Sequence, residues 1–254
     1  MYSFLTNKKI LITGSSGYIG SKLLKKLLNS NCKIFIIVRN KKLINKHLKK
    51  ENKIFFLTGN ITTDIFWKKN IRNIDYLIHL ASNESKFGTN INFFDNFNVN
   101  VNSLLYALFF SKKYNKNIKI VSIGSENQLG IAKKIPVNEE SIDNPITIFG
   151  FNKLIAEQYL NFYKKNYNIN SISLRLSNVY GPSGFQENNL KVSLNKMISN
   201  TLNEKIILYD NQDSIRDFIF IDDAIDAIIS AMRNIKKLDQ NYYYIGSGKG
   251  HSLK

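Results

Sequence analysis

The segment Thr13-Gly14-Ser15-Ser16-Gly17-Tyr18-Ile19-Gly20 constrains this chain more than any other. The apolar run Ile10-Leu11-Ile12 precedes it, and Ile19, Leu23, Leu24, Leu27 and Leu28 follow at helical spacing. Strand, tight turn and helix in that order open a βαβ unit. Each glycine has its own use there. Gly14 permits the tight turn, Gly17 lets backbone approach a bound group, and Gly20 lets the helix pack closely on the strand.

The rest of the chain repeats the alternation. Apolar, β-rich runs lie at 9–13, 33–38, 53–57, 76–81, 118–123 and 171–176. Each is short and nearly continuous, as in parallel strands buried on both faces. Helical patterns lie between them at 18–29, 42–50, 64–69, 92–114 and 149–166. The pattern predicts an α/β fold with a doubly wound parallel sheet of the Rossmann kind. It loosens after Arg175: residues 178–184 are turn-rich, and a helix at 190–202, a strand at 206–209 and a helix at 222–233 follow. This stretch reads as a small lobe appended to the sheet. The expected division is 1–176 for the sheet domain and 177–254 for the lobe.

Composition narrows the function classes. The net charge is +17, but the lysines come in scattered pairs such as Lys25-Lys26, Lys112-Lys113 and Lys164-Lys165. Spread over solvated helix faces, they make no nucleic-acid stripe, though they favour an anionic small molecule. The densest apolar run, residues 104–110, is far too short to cross a bilayer. The N-terminus enters a strand after Lys8-Lys9 without a signal-peptide core. Cys32 is the only cysteine, and His47, His79 and His251 are the only histidines, in no ligand-like cluster. The expectation is a cytoplasmic protein without metal, membrane or nucleic-acid partner. His79, on an apolar strand, reads as a structural histidine.

The glycine turn suits a dinucleotide, because free N–H groups and the dipole at a helix N-terminus favour a pyrophosphate. An acidic residue closing the second strand would hold the ribose hydroxyls of NAD. Here Val38-Arg39-Asn40 stands there. An arginine suits the 2′-phosphate of NADP, so NADP is expected over NAD.

Further segments make a specific resemblance. Gly59-Asn60-Ile61-Thr62, residues 75–82, Asn98-Val99-Asn100-Val101, residues 175–182, Arg216-Asp217-Phe218 and residues 244–248 occur in an order and spacing that cover almost the whole chain. The chain resembles the extended short-chain dehydrogenases/reductases, specifically the NAD(P)-dependent sugar-nucleotide epimerases and dehydratases. The resemblance implies that residues 14–20, Arg39, Asn60 and Ile61 hold the cofactor, with Ala81 and Lys153 nearer the nicotinamide. It implies Asn178 and Arg216 for the substrate's phosphates, a sugar-nucleotide substrate, and a homodimer through the helices 92–114 and 149–166. Family members continue past the point where this chain ends, so a shortened substrate lobe is expected.

In that family a serine or threonine, a tyrosine and a lysine carry the chemistry. The segment Ile123-Gly124-Ser125-Glu126 sets Ser125 on the serine position, with Ser122 as the alternative if the loop is shifted. The tyrosine–lysine segment falls on Phe149-Gly150-Phe151-Asn152-Lys153. Lys153 is present, and Phe149 stands where the tyrosine belongs. Three readings follow: a relocated proton carrier (Glu126, a water or the substrate itself), a weakened relative that still binds, or a degenerate product.

Overall fold

The computed structural model describes residues 2–38, 48, 50–84, 93–182 and 215–252. The helix expected at 42–50 falls almost wholly outside them; the helix at 190–202 and the strand at 206–209 fall entirely outside.

Seven strands form one sheet: β1 (Lys9–Thr13), β2 (Lys33–Val38), β3 (Ile54–Thr58), β4 (Tyr76–His79), β5 (Lys119–Ser125), β6 (Asn170–Leu176) and β9 (Tyr242–Ile245). Their order is β3-β2-β1-β4-β5-β6-β9, and every neighbouring pair is parallel. Alternation along β1 explains why both faces are covered. Ile10 and Ile12 enter one core with Leu23, Leu24 and Leu27 of helix α1 (Tyr18–Leu27). Leu11 points the other way, toward Trp67 of α2 (Asp64–Asn70) and Leu104 and Leu108 further on. Period-two side chains with apolar residues in both phases require helices on both sides.

The second layer refines one expectation. The helix expected at 92–114 is helical from Phe93 to Tyr114, in three contiguous parts: α3 (Phe93–Phe97), a π-helical turn (Asn98–Asn102) and α4 (Ser103–Tyr114). The widened turn accompanies a buried amide cluster. Asn100 Nδ2 donates to the Asn83 carbonyl at 2.8 Å and to Asn96 Oδ1 at 2.9 Å, and its Oδ1 accepts from Asn83 N–H at 3.2 Å. These bonds tie the helix start to the loop after β4. Helix α5 (Ile148–Tyr167) begins with Thr147, whose hydroxyl accepts from Gly150 N–H, and ends at Asn168 in the left-handed conformation.

The chain after Leu176 serves both sheets. β7 (Asn178–Tyr180), β8 (Ile215–Phe220) and β10 (Gly250–Ser252) make a small sheet in the order β10-β8-β7. Helix α6 (Ile221–Asn234) returns to the main core through Ile225, Ile228 and Met232. Lys22–Asp222 at 3.0 Å and Lys26–Asp226 at 3.2 Å also join it to α1. The turn expected at 178–180 is therefore a short strand, because residues far along the chain supply its partner. Among the described residues, no helix is long and apolar enough to cross a membrane, and no group of three His, Cys, Asp or Glu is placed to hold a metal.

Candidate active site

The strand order reverses between β1 and β4, which opens a crevice at their carboxyl ends. The glycine turn lies there. Gly14 has φ +68°, and a Cβ on it would stand 2.8 Å from the Ala81 nitrogen. A Cβ on Gly20 would overlap the Gly14 carbonyl oxygen. Side chains at either position would push the turn off β4 or the helix off the turn. Gly17 caps α1 with extended backbone, and its N–H bonds the Gly14 carbonyl at 2.9 Å. Ser15 is buried, while Ser16 is exposed at the open side of the turn. Tyr18 and Ile19 start the helix, and the Tyr18 hydroxyl donates to the Gly181 carbonyl at 2.7 Å. The cradle keeps a backbone-lined recess at a helix N-terminus, which fits a pyrophosphate.

A hydrogen-bonded chain pins the crevice walls. The Leu80 and Ala81 N–H groups donate to Thr13 Oγ1 at 3.1 and 3.0 Å. The Thr13 hydroxyl then donates to His79 Nδ1 at 3.1 Å, His79 Nε2–H donates to Ser103 Oγ at 3.0 Å, and the Ser103 hydroxyl donates to the Val99 carbonyl at 2.6 Å. This chain ends β4 two residues before the expected Ala81, since those two N–H groups turn to Thr13 instead of a ladder. Burial, then the nearby Lys153 charge, pushes the His79 pKa down to about 3. The unfolded chain takes up a proton near pH 6.5 that the folded imidazole refuses, so this residue's stability contribution fades as pH falls from there toward 3.

Asn60 and Ile61 occupy the turn after β3, at the same edge of the sheet. Asn60 Oδ1 accepts from Thr62 N–H at 3.0 Å, and Trp67 Nε1–H donates to the Ile61 carbonyl at 2.7 Å. Arg39 lies outside the described residues.

Across the crevice, Ser125 ends β5 and caps the short helical turn Glu126–Gln128. Its Oγ accepts from the Asn127 backbone N–H at 3.2 Å and from Asn127 Nδ2 at 3.1 Å, which leaves the hydroxyl hydrogen for another acceptor. Ser122 is buried inside β5, three residues back from the edge. Lys153 Nζ, buried on α5, donates to the Ile123 carbonyl at 2.8 Å and lies 5.8 Å from the centre of the Phe149 ring. Desolvation lowers the Lys153 pKa to about 8, against a smaller opposing pull from Glu84. A Cβ on Gly150 would overlap the Asn127 carbonyl oxygen, so the turn at 126–128 is pressed against the start of α5. The fold thus brings Ser125, Phe149 and Lys153 together.

Beneath them lies a network with no local signal. The Ser125 N–H donates to Gln128 Oε1 at 2.9 Å, and Gln128 Nε2 donates to Glu157 Oε2 at 3.0 Å. Fully buried Arg175 makes two bonds to Glu157, at 3.1 and 2.6 Å, and two to Asp143, at 2.6 and 2.7 Å. Its guanidinium also donates to the Tyr244 hydroxyl at 3.0 Å and lies 3.6 Å from the centre of the Tyr242 ring. Asp143 comes from an irregular loop and Tyr242 and Tyr244 from β9.

Asn178 and Arg216 stand on β7 and β8 at the same end. Asn178 Nδ2 donates to Glu126 Oε1 at 2.7 Å and toward the Asp217 carbonyl at 3.2 Å. Arg216 is exposed and close enough to act on the Glu126 charge. Asp217 faces the other way and accepts from Ser247 N–H at 2.8 Å and Gly248 N–H at 2.9 Å, holding the late glycine turn.

A glycine cradle at the switch point of a doubly wound parallel sheet defines an α/β protein of the Rossmann kind. The sequence profile of the NAD dependent epimerase/dehydratase family matches residues 10–246. The chain belongs to that family, within the extended short-chain dehydrogenases/reductases. A Methanocaldococcus jannaschii relative provisionally named a UDP-glucose 4-epimerase is 30% identical, over 96% of this chain and 78% of its own. The UDP-N-acetylglucosamine 4-epimerase of Methanobrevibacter ruminantium, solved with UDP-N-acetylmuramic acid, has the same fold: TM-score 0.83, 24% identity, 98% of this chain and 79% of that one. The UDP-glucuronic acid 4-epimerase of Bacillus cereus, solved with NAD, is 26% identical with TM-score 0.79, covering 96% of this chain and 79% of that one. A tyrosine-to-phenylalanine variant of that enzyme is solved with NAD and UDP-4-deoxy-4-fluoro-glucuronic acid.

Proposed function

We propose that this protein binds a nicotinamide dinucleotide in the glycine turn and uses it to epimerise, dehydrate or reduce a sugar nucleotide, in the cytoplasm, for surface-polysaccharide synthesis. One observation carries the reading: the glycine cradle, Ser125 and Lys153 converge on one edge of the sheet, faced by Asn178 and Arg216. The cofactor supplies reversible hydride exchange. Gly17 gives its pyrophosphate close backbone approach, Gly14 and Gly20 shape the turn that allows it, and Ser15, Ser16, Tyr18 and Ile19 surround it. Asn60 and Ile61 stand beside the adenine, Ala81 beside the nicotinamide, and Lys153 holds the ribose hydroxyls. Ser125 donates its free hydroxyl hydrogen to the reacting sugar oxygen. The segment from 177 onward is the substrate lobe, where Arg216 offers a fork suited to phosphate oxygens.

Phe149 has no proton to give, so turnover is slow compared with a tyrosine-bearing site. The same observation favours a second reading, a non-catalytic NADP(H)- or sugar-nucleotide-binding protein. The Bacillus cereus variant, which holds both ligands, supports retained binding. Titration with NADPH and NADH, followed by nicotinamide fluorescence, tests the shared core of both readings. Saturable binding is expected, tighter for NADPH, and Arg39→Asp should shift the preference toward NADH. An unchanged ratio would remove the NADP assignment, although NAD is the dinucleotide in the Bacillus cereus relative. No binding of either by the folded protein would remove both readings.

Phe93, Phe94 and Phe97 on α3, Phe109 on α4, and Phe151 and Phe162 on α5 are exposed. Six exposed phenylalanines on neighbouring helices form the kind of surface that a second copy buries. We expect a homodimer through these helices. Light scattering at micromolar concentration should give twice the chain mass, and Phe94→Glu with Phe109→Glu should give monomer. A wild-type monomer would end the assignment.

A further inference from the structure

We infer that Glu126 is the proton carrier of the oxidation step, taking the place of the phenol that Phe149 lacks; this rests on the catalytic reading above. Three observations place it. Its turn lies between two fixed points of the expected triad: Lys153 is bonded to the Ile123 carbonyl, and the Asn127 carbonyl is pressed on Gly150, next to Phe149. Its Oε1 is held at 2.7 Å by Asn178, a residue of the substrate side, so the carboxyl bridges the two halves of the crevice. Its Oε2 accepts no hydrogen bond among the described residues and remains available for a substrate hydroxyl.

The step balances. The sugar's O–H proton passes to Glu126 Oε2, the C–H hydrogen leaves with its electron pair as hydride to the nicotinamide dinucleotide, and the C–O bond becomes a carbonyl. The carboxylate becomes a carboxylic acid, which returns the proton when hydride comes back. Burial raises the Glu126 pKa above its usual 4.5, against smaller opposing effects of Asn178 and Arg216, and Asp217 adds to the rise. A base nearer the working pH transfers protons more effectively. The charges that act on the Glu126 carboxyl are those of Arg216 and Asp217 on β8.

Glu126→Gln keeps an acceptor for Asn178 and removes the base. With UDP-glucose, UDP-N-acetylglucosamine and dTDP-glucose as probes, kcat should fall about 10²-fold or more, with KM and NADPH affinity nearly unchanged. In a Phe149→Tyr background the same change should cost little, because the phenol resumes the task. The wild-type kcat should rise with pH through one ionisation that Glu126→Gln lacks. Binding calorimetry in two buffers should show a pH-dependent proton exchange with the sugar nucleotide that Glu126→Gln also lacks. Equal losses in both backgrounds, or no loss in either, would overturn the inference. So would a wild type that binds both ligands without turnover while Phe149→Tyr turns over. Failure to bind at all is a different result and removes the underlying reading.

Discussion

Phe149→Tyr is expected to raise turnover on a sugar nucleotide by about 10²–10⁴-fold, the usual contribution of a positioned acid–base group, while NADPH affinity stays unchanged. The site is prepared for the phenol. Residue 149 is half-buried on the first turn of α5, and the Lys153 ammonium follows one turn later, 5.8 Å from the ring centre. That positive charge would draw a phenol's pKa down from about 10. The lysine is itself lowered to about 8 by burial, so a phenolate beside it would push it back up and the two would titrate as a pair. Cofactor affinity should hold because the Nζ bond to Ile123 and the glycine cradle involve no atom of the ring. Because Glu126 carries the proton in the natural chain, the gain lies toward the lower end of the range. An unchanged kcat with intact binding would mean that proton transfer does not limit this protein. Chromatographic assay of sugar-nucleotide conversion for both variants reads the result directly.

The second large effect concerns stability. Arg175→Leu should lower the unfolding free energy by about 3–5 kcal/mol, as expected when one partner of a buried ion cluster is removed. The side chain is fully buried and makes four charge-assisted bonds to two carboxylates. Its loss would leave Glu157, also almost fully buried, without its cation. Desolvation works against the guanidinium's charge, but the hydrogen bonds it donates to Asp143 and Glu157 together outweigh that and keep it charged. Arg175→Lys should recover only part, since one ammonium cannot serve two forks. Urea unfolding is the measurement, and a midpoint shift with an unchanged slope is the expected form. A loss below about 1 kcal/mol would show that water or rearrangement satisfies the carboxylates. Because Glu157 holds Gln128 and Gln128 holds the Ser125 N–H, the variant should also loosen the turn at 125–128.

Burial of Lys153 carries its own pH signature. Its cost is fully present below about pH 8 and is relieved as pH rises toward 10.5, where the unfolded chain still holds the proton that the folded one has released.

Much of this was legible from residue order. The continuous apolar runs fixed six strands to within two residues at each end, because a strand buried on both faces needs no partner to declare itself. The turn at 14–20 announced its geometry because only glycine fits where Gly14 touches Ala81 and Gly20 touches Gly14. Ser125, Phe149 and Lys153 were found through the family resemblance, whose motif spacing one helix and one strand end preserve. Other features needed the folded chain. β7, β8 and β10 pair across long stretches of sequence, and short half-exposed strands carry no period of their own. The π-helical turn answers to Asn83, a residue on another loop. Arg175 collects partners from a loop, a helix and a strand, and Glu126 meets Asn178 only where the small sheet folds back. Local sequence sets which face of an element is apolar. Which charges and amides then meet is decided by tertiary packing, since those contacts join residues whose positions in the sequence say nothing about one another.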